Sequence, residues 1–196
     1  MAHVPLQTPE QCAQANDRHI QWVRKAAEQM PLGQMMHWRP EVNEDWREPL
    51  RVGDTPPNGE GLLASSGKFT TLYHHLDPNK PTVLCFGSHT CPNFRAFFPQ
   101  LQELVAVFSP HVHWVNVYTR EAHAADEWAL PENTVQHRQP QDIKDRLEAC
   151  RAFLKEFPAF SPWTIVDSMA NTLADGYAAS GGRFYVVDMA HDGEIV

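Results

Sequence analysis

The sequence lacks any paired-cysteine motif. It carries four cysteines in 196 residues, Cys12, Cys85, Cys91 and Cys150, and none of them stands in a CxxC pair. This spacing disfavours both a structural zinc site and a dithiol redox centre. We predict free thiols, and we expect Cys12, Cys85 and Cys150 to be small buried hydrophobic residues within helices or a strand.

Basic charge and long apolar runs are also scarce. The chain has 16 lysines and arginines against 24 acidic residues, a formal net charge of −8, so we expect no nucleic-acid partner and no anionic membrane surface. No apolar run approaches the roughly 20 residues of a membrane span. The first residues, MAHVPLQTPE, lack the basic and apolar regions of a signal peptide. We therefore expect a soluble cytoplasmic protein without membrane contact.

The hydrophobic content that is present, 42% of residues, is enough to build a core without disulfide bonds. Residues 1–49 are predicted to form an N-terminal helix and a docking arm, because an apolar helical period in Pro9–Met30 is followed by a proline-rich stretch. Trp38 and Trp46 are its expected anchors on the core. Residues 50–196 are predicted to form the main domain.

The main domain alternates strands and helices. A hairpin around Gly67 precedes the buried strand TVLCFG, and the sequence continues as the helix FRAFFPQLQELVAVF, the strand HVHWVNVY and the helix IKDRLEACRAFLKEF. The strands TIVD and RFYVVD and a terminal hairpin at HDGEIV complete the pattern. This order predicts an α/β fold with a mixed central sheet flanked by helices.

Cys91 is placed where a strand gives way to a helix, in CFGSHTCPNFRAFF. The carboxyl ends of strands in open α/β sheets are where ligands bind. A helix N-terminus can lower the pKa of a cysteine from ~8.5 to between ~3.5 and ~7.5. Ser88 and Thr90 are able to donate hydroxyl hydrogen bonds to the sulfur or to its reaction partner. We predict a reactive thiolate at Cys91, the alternative being a buried cysteine at a strand–helix corner.

The loop TREAHAADEW follows the neighbouring strand and is expected to overhang the same sheet edge. It supplies His123 and Glu121, so a nucleophile, an acid and an orienting carboxylate converge there. This arrangement supports thiol chemistry in general; a solvated surface residue is the alternative for His123. The segment from Arg120 to Gln141 is long for a connection, and long loops tend to be functional. We expect it to roof an elongated cleft beside Cys91.

Four segments resemble one protein family. GSHTCPNF is similar to the active-site segment of the iodothyronine deiodinases, Gly-Ser-x-Thr-Sec-Pro-x-Phe, with Cys91 in place of selenocysteine. REAHAADEW resembles the family's Glu-Ala-His-x-x-Asp-Gly-Trp stretch. QHRQPQDIKDRLEA and VDSMANTLADGYAASGGRFYVVD continue the match in the same order. The resemblance runs from about Val52 to the end and leaves the N-terminal arm uncovered.

The resemblance implies a thioredoxin-like fold related to peroxiredoxins, and reductive removal of iodine from an iodothyronine or a similar halogenated phenol. Cys91 is then the nucleophile that attacks the halogen, His123 the proton donor, and Glu121 its neighbour in a proton relay. His137 and Arg183 match residues that grip the phenolic end of the ligand; for Arg183, pairing with a carboxylate is the alternative. The implied partners are the halogenated phenol and an external thiol reductant, with no bound cofactor; a homodimer is the assembly considered.

The sequence departs from the family at two positions. His89 stands where many members carry a cysteine two residues before the reactive one, so no resolving thiol is evident. Glu127 replaces a glycine of the family pattern. SHTC also partly matches the Thr-x-x-Cys of peroxiredoxins, which keeps a thiol peroxidase open as an alternative. A non-catalytic binder of an iodinated or phenolic ligand is the third hypothesis.

The remaining histidines do not predict a metal centre. His111 and His113 form an H-x-H pattern on a strand, and His74 and His75 are adjacent in sequence. Two ligands on one strand face are too few for a site. We expect polar surface histidines and no metal.

Overall fold

The computed structural model describes residues 50–127, 129, 130, 133–179, 182–190 and 193–196. The predicted N-terminal helix and docking arm, Cys12 and Trp128 lie outside the described residues.

Seven strands of the described residues form one mixed sheet. They are β1 (Glu60–Leu63), β2 (Phe69–Thr71), β3 (Thr82–Gly87), β4 (His113–Tyr118), β5 (Thr164–Asp167), β6 (Arg183–Asp188) and β7 (Glu194–Ile195). Their order is β2-β1-β5-β4-β3-β6-β7. The inner strands β3, β4 and β5 are parallel, whereas β1 and β6 join them antiparallel. The predicted α/β architecture, with a hairpin at each end, is confirmed.

In the described part of the chain, three α-helices connect the strands: α1 (Pro92–Phe108), α2 (Ile143–Glu156) and α3 (Thr172–Gly176). The long helix α1 continues through Pro99. Asp142 starts α2 by accepting the backbone N–H groups of Lys144 and Asp145, at 2.8 and 2.9 Å. The sequence analysis missed α3, because five residues are too few to show a helical period. Within the described residues, none of the helices combines the length and the apolar character that crossing a bilayer requires.

The sheet separates two hydrophobic clusters, because alternate residues of a strand face opposite sides. Along β4, Trp114 and Tyr118 belong to one cluster and Val115 and Val117 to the other. The first cluster is filled by aromatic side chains of α1, α2 and the 3₁₀ turn after it. Phe98 lies at its centre, with ring centroids of three other phenylalanines 4.3 to 5.0 Å away, those of Phe153, Phe157 and Phe160.

The strand register brings the candidate site residues to one sheet edge. Gly87 at the end of β3 is paired with Tyr118 at the end of the parallel strand β4. Phe86 is paired with Arg183, the first residue of the antiparallel strand β6. The segments after β3 and β4 and the start of β6 therefore meet, as the sequence predicted for the first two.

Candidate active site

Cys91 lies at the junction between β3 and α1. It is the N-cap residue of α1, with Pro92 as the first helical residue, and it is only 4% exposed. Its backbone N–H donates to the carbonyl oxygen of Ser88 at 3.2 Å and closes the turn. Gly87 permits the close packing, because a Cβ atom there would lie 2.6 Å from the ring of Phe94. Strand, turn and helix together fix the position of Cys91, as predicted.

The predicted low pKa of Cys91 is wrong. Burial raises the pKa of the thiol above its ordinary value and outweighs the backbone N–H groups of Phe94 and Asn93 and the Arg95 guanidinium, which act in the opposite direction. The helix N-terminus does favour an anion, but a thiolate loses its hydration in this closed position. Cys91 is therefore mainly a neutral thiol at pH 7, and its reaction requires a group that removes the proton or stabilises the anion.

The carboxylate of Glu121 organises the residues beside Cys91. Glu121 is 1% exposed, and its Oε2 accepts the backbone N–H and the hydroxyl of Thr90 at 2.9 and 2.6 Å. Its Oε1 accepts a hydrogen bond from the Tyr118 phenol. Burial and the adjacent carboxylate raise the pKa of Tyr118 well above its ordinary value, so the phenol remains a donor. Three donors thus satisfy one buried carboxylate.

The hydroxyl of Thr90 connects Glu121 with His123. It donates to Glu121, and its oxygen accepts the backbone N–H of His123 at 3.1 Å. Because its proton goes to Glu121, the Thr90 hydroxyl does not donate to the Cys91 sulfur in this structure, and donation to a reaction partner stays a prediction. Ser88 Oγ accepts the backbone N–H of Ala122 at 3.0 Å, a contact that does not consume the hydroxyl proton. We call Ser88, Thr90, Cys91, Tyr118 and Glu121 the Cys91 corner.

His123 is buried, with 7% of its surface exposed, which excludes the alternative of a solvated surface histidine. Its backbone is bonded to Thr90, the residue immediately before Cys91. Glu121, predicted to orient His123, acts on its backbone through the shared hydroxyl of Thr90. The structure therefore brings the predicted acid and the predicted nucleophile into neighbouring, mutually bonded loops.

A polar clamp holds the later part of the loop over the start of α1. Asn133 donates to the carbonyl oxygen of Thr90 at 2.7 Å, and Arg95 donates to the side-chain oxygens of Asn133 and Thr134 at 2.5 and 2.9 Å. The sequence analysis did not single out Arg95 or Asn133. Both are ordinary polar residues whose partners lie about forty positions away, so no local pattern marks them.

His137 belongs to a second group, formed with His89 and Glu156. His89 Nδ1 lies 2.9 Å from His137 Nε2, and His89 Nε2 lies 2.9 Å from a carboxylate oxygen of Glu156. His89 is 6% exposed, whereas 48% of the Glu156 side chain is exposed. The residue that marks a departure from the family is therefore the partner of the predicted ligand-binding histidine.

An open cleft of about 640 Å³ lies beside His137. It is lined by Asp126, residues 137–141 and the side of α2 that carries Asp145, Glu148, Ala149 and Ala152. The long loop does border a cleft, as predicted. Cys91 does not line this cleft, so the expectation of an elongated cleft beside Cys91 stays a prediction. We call it the His137 cleft; its structural link to the Cys91 corner is His89.

Arg183 lies at the same sheet edge as Ser88, since its strand partner is Phe86. It is half-buried. The alternative of a structural ion pair receives no support, because the guanidinium forms no salt bridge with any carboxylate in the described part of the chain. Its implied contact with a ligand stays a prediction.

The other described cysteines are remote from solvent. Cys85 and Cys150 are fully buried free thiols, and burial strongly raises the pKa of both. Their predicted structural role is confirmed by this burial. Among the described residues, no group of three or more His, Cys, Asp or Glu side chains is arranged to hold a metal ion.

Solved structures with a similar fold include an uncharacterised protein and a domain of a thiol-disulfide oxidoreductase. An uncharacterised conserved protein from Geobacillus kaustophilus superposes with a TM-score of 0.55 at 19% identity, covering 74% of this chain and 67% of that one. The thioredoxin domain of a thiol-disulfide oxidoreductase from Bacteroides vulgatus gives 0.51 at 18% identity, covering 75% and 86%. At these identities the likeness shows the fold alone, and that fold is thioredoxin-like, as expected.

Curated relatives are similar at the level of sequence. The chain is 32% identical to the type I iodothyronine deiodinase of Xenopus laevis over 145 residues, which are 74% of this chain and 55% of that protein. It is 30% identical to the thyroxine 5-deiodinase of Sus scrofa over 143 residues, 73% of this chain and 46% of that protein. The chain thus spans about half the length of the curated relatives it matches.

The family's own sequence pattern extends beyond the segments that first revealed the resemblance. The sequence model of iodothyronine deiodinase matches residues 21–194, which include the whole Cys91 corner, His123, His137 and Arg183. With this match over most of its length, the chain belongs to the iodothyronine deiodinase family.

Proposed function

We propose that this chain is a thiol-dependent reductive dehalogenase that removes iodine from an iodothyronine or a similar halogenated phenol. Cys91 is the nucleophile and His123 the proton donor. The observation that carries the proposal is the Cys91 corner. Cys91 lies at a helix N-terminus and directly follows Thr90. The Thr90 hydroxyl donates a hydrogen bond to the buried carboxylate of Glu121 and accepts one from the backbone N–H of the buried His123. Membership of the deiodinase family selects halogen chemistry from the several reactions such a corner supports.

The reaction balances with two thiol equivalents. The Cys91 sulfur forms a bond to iodine while the carbon–iodine bond breaks, and a proton from His123 replaces iodine on the ring carbon. An external thiol then attacks the Cys91 sulfur, so that iodide leaves and a mixed disulfide forms. A second external thiol attacks this disulfide and releases the Cys91 thiol. The substrate gains two electrons and one proton, and the two external thiols become a disulfide.

The protonation state of Cys91 fits a nucleophile that is activated on ligand binding. Burial keeps the resting thiol neutral by raising its pKa. The N–H groups at the start of α1 and the nearby Arg95 guanidinium are aligned to stabilise negative charge when it forms. When its imidazole is neutral, His123 is able to take the proton of the Cys91 thiol and later give it to the ring carbon of the substrate.

Binding of the phenolic end is assigned to His137 and Arg183. His137 lines an open cleft whose volume falls within the range of small-molecule sites. Arg183 presents a half-buried guanidinium at the edge where Cys91 lies, and its N–H groups can donate hydrogen bonds to the oxygen of a phenol. Because Cys91 is 4% exposed, an aromatic ligand must displace local contacts, such as the hydrogen bond of Asn133 to the carbonyl oxygen of Thr90.

The reductant in this proposal is external. Cys85 and Cys150 are fully buried, so neither is placed to attack an oxidised sulfur at Cys91 in this structure. A low-molecular-weight thiol or a thioredoxin-like protein supplies the electrons. No bound cofactor takes part in the proposed cycle.

A thiol peroxidase is the second candidate, and one observation favours it. The Cys91 sulfur sits in a closed corner that a two-oxygen oxidant enters more easily than an aromatic ring does, given its 4% exposure. In that reaction the thiolate attacks one peroxide oxygen, the other leaves as water, and the sulfenic acid is reduced by the external thiols.

The test is a paired assay of thyroxine and hydrogen peroxide, each with dithiothreitol, following iodide release and peroxide loss. We expect Cys91-dependent iodide release. Arg183→Gln and His137→Gln should raise KM for thyroxine by about tenfold, the value of one charge-assisted hydrogen bond, and should leave any peroxide reaction unchanged. Arg120→Gln, which removes an exposed charge paired with Glu127, is the matched control and should behave as the parent.

Three outcomes separate the hypotheses. Iodide release that depends on Cys91 supports the dehalogenase. Cys91-dependent peroxide loss without any iodide makes the protein a peroxidase. Tight thyroxine binding with neither reaction makes it a ligand-binding member of the family.

A further inference from the structure

A buried histidine outside the residues assigned above connects the cleft to the surface of α2. His89 Nδ1 lies 2.9 Å from His137 Nε2, and its Nε2 lies 2.9 Å from Glu156. The His89 ring packs edge-on against Phe153, with centroids 5.8 Å apart at 72°. Its backbone N–H donates to the Tyr118 hydroxyl at 3.3 Å. These contacts fix both the position and the plane of the ring.

The order of the three groups determines where the protons lie. A carboxylate only accepts hydrogen bonds, so the Glu156 contact requires a proton on Nε2 of His89. A neutral imidazole carries one proton, which leaves Nδ1 of His89 as an acceptor. The 2.9 Å contact to that atom therefore requires His137 to donate from Nε2. In the neutral form of His137 the remaining nitrogen, Nδ1, is then an acceptor.

Burial supports a neutral His89. It lowers the pKa of the ring, His137 lowers it further, and only the hydrogen bond and charge of Glu156, with a smaller effect of Glu121, act in the opposite direction. The tautomer argument itself rests on the two 2.9 Å contacts.

We propose that His89 and Glu156 are positioning residues that hold His137 in the tautomer whose Nδ1 accepts a hydrogen bond from the hydroxyl of a phenolic ligand. The inference rests on the proposed function, since it specifies how the same site recognises its substrate. It makes the site selective for a ligand with a free phenolic O–H, because an ether at that position offers no proton to the acceptor.

We call the chain of hydrogen bonds from Glu156 through His89 to His137 the relay. The variant Glu156→Gln tests the relay with little risk to folding, since about half of the Glu156 side chain is exposed. An amide both donates and accepts, so it no longer forces the proton onto Nε2 of His89. Glu103→Gln removes the same charge from an exposed position on α1 and is the matched control. His89→Asn keeps an acceptor close to the position of Nδ1, whereas His89→Leu removes it.

The first readout is nitrogen NMR of the full chain labelled in histidine, at neutral pH and without ligand. We expect His89 and His137 both protonated at Nε2, with Nδ1 of His137 unprotonated. Glu156→Gln should change this pattern and Glu103→Gln should not. A His137 ring protonated at Nδ1 in the parent protein, or an unchanged pattern in Glu156→Gln, overturns the inference.

The second readout is iodide release from thyroxine and from its phenol methyl ether. We expect Glu156→Gln and His89→Leu to raise KM for thyroxine by about threefold to tenfold, the range of one net hydrogen bond, with kcat within about twofold. His89→Asn should recover part of the loss, and the ether should be insensitive to all variants. Equal effects on both ligands overturn the inference. If the parent protein releases no iodide at all, the proposed function falls, and the NMR pattern still decides the relay.

Discussion

The Cys91 corner and the His137 cleft are built in opposite ways, although one loop contributes to both. In the corner, Glu121 is 1% exposed and has three hydrogen-bond donors, and Cys91 is 4% exposed. The cleft is open and polar, and its charged residues Asp126, Arg138 and Glu148 face solvent to different extents. The corner is buried and held by several hydrogen bonds, whereas the cleft is open to solvent.

In the proposed function, this difference separates the residues of the chemical step from those that bind the ligand. Burial in the corner strengthens every electrostatic interaction with a developing charge, but it makes each unpaired polar group costly. The open cleft tolerates substitution, because solvent water can replace a lost hydrogen-bond partner. Changes in the corner should therefore reduce kcat or stability, and changes in the cleft should mainly alter KM.

The largest effect is expected for Cys91→Ala. Removal of the nucleophile should abolish iodide release and any peroxide reaction while the fold is retained, because a small buried side chain is replaced by a similar one. Cys150→Ala, which removes another fully buried thiol, is the control and should remain active. In the parent protein, alkylation of Cys91 should still accelerate above pH 9, because the pKa of the thiol is raised. Full turnover by Cys91→Ala would refute the proposed function.

His123→Ala is expected to have the next largest effect. Loss of a general acid–base group lowers kcat by roughly 10²–10⁴-fold. Circular dichroism should stay close to that of the parent protein. His74→Ala, which removes an exposed histidine, should have normal kcat. A decrease of less than about tenfold in His123→Ala would assign proton donation to another residue.

Glu121→Gln tests the bonding of the corner directly. One of the oxygens that accept from Thr90 and Tyr118 becomes a donor, so a buried hydrogen bond is lost. We expect a destabilisation of about 1–3 kcal/mol and a decrease in kcat of roughly tenfold, milder than for His123→Ala. Chemical denaturation and iodide release measure the two effects.

The control for this change is Glu127→Gln in the same loop. Glu127 forms an exposed ion pair with Arg120 at 2.9 Å, and such pairs contribute only about 0–1 kcal/mol. Equal losses of stability and of kcat in the two variants would show that the buried corner and the exposed part of the loop respond alike to the loss of a carboxylate.

Asp167→Asn should have the smallest effect on activity and a pH-dependent effect on stability. Burial raises the pKa of Asp167 to about 6 in the folded protein, above the unfolded value of roughly 3.9. The folded state therefore binds more protons, so the stability contributed by protonation is complete below about pH 4 and is lost as pH rises through 6. Between those pH values the variant should gain about 1–3 kcal/mol relative to the parent. Denaturation at several pH values measures it, and parallel curves would contradict it.

Much of the site was predictable because its signals are local. The position of Cys91 follows from an apolar strand, a turn with Gly87 and a proline at the first helical position. The convergence of the loops after β3 and β4 follows from the parallel arrangement of consecutive strands. The long loop from Arg120 to Gln141 also marked itself by its length.

The errors and omissions arise from contacts between distant residues. The pKa of Cys91 was expected to fall because the helix N-terminus is visible in the sequence, whereas the burial that raises it is not. The Thr90 hydroxyl was expected to donate to the sulfur or to its reaction partner, but in the structure it donates to Glu121, thirty-one residues away. Tyr118 was read as a strand residue only, since nothing local shows that its hydroxyl meets a carboxylate.

The sequence by itself determined the α/β architecture, the family and the position of Cys91 at a strand–helix junction, because hydrophobic periodicity and contiguous motifs are properties of short segments. Only the tertiary structure decided what the polar groups do. Whether His89 replaces a cysteine without consequence or holds His137 through Glu156 depends on a helix sixty-seven residues later. Hydrogen bonding and desolvation are set by which atoms lie within about 3 Å of each other, and chain folding alone brings such atoms together.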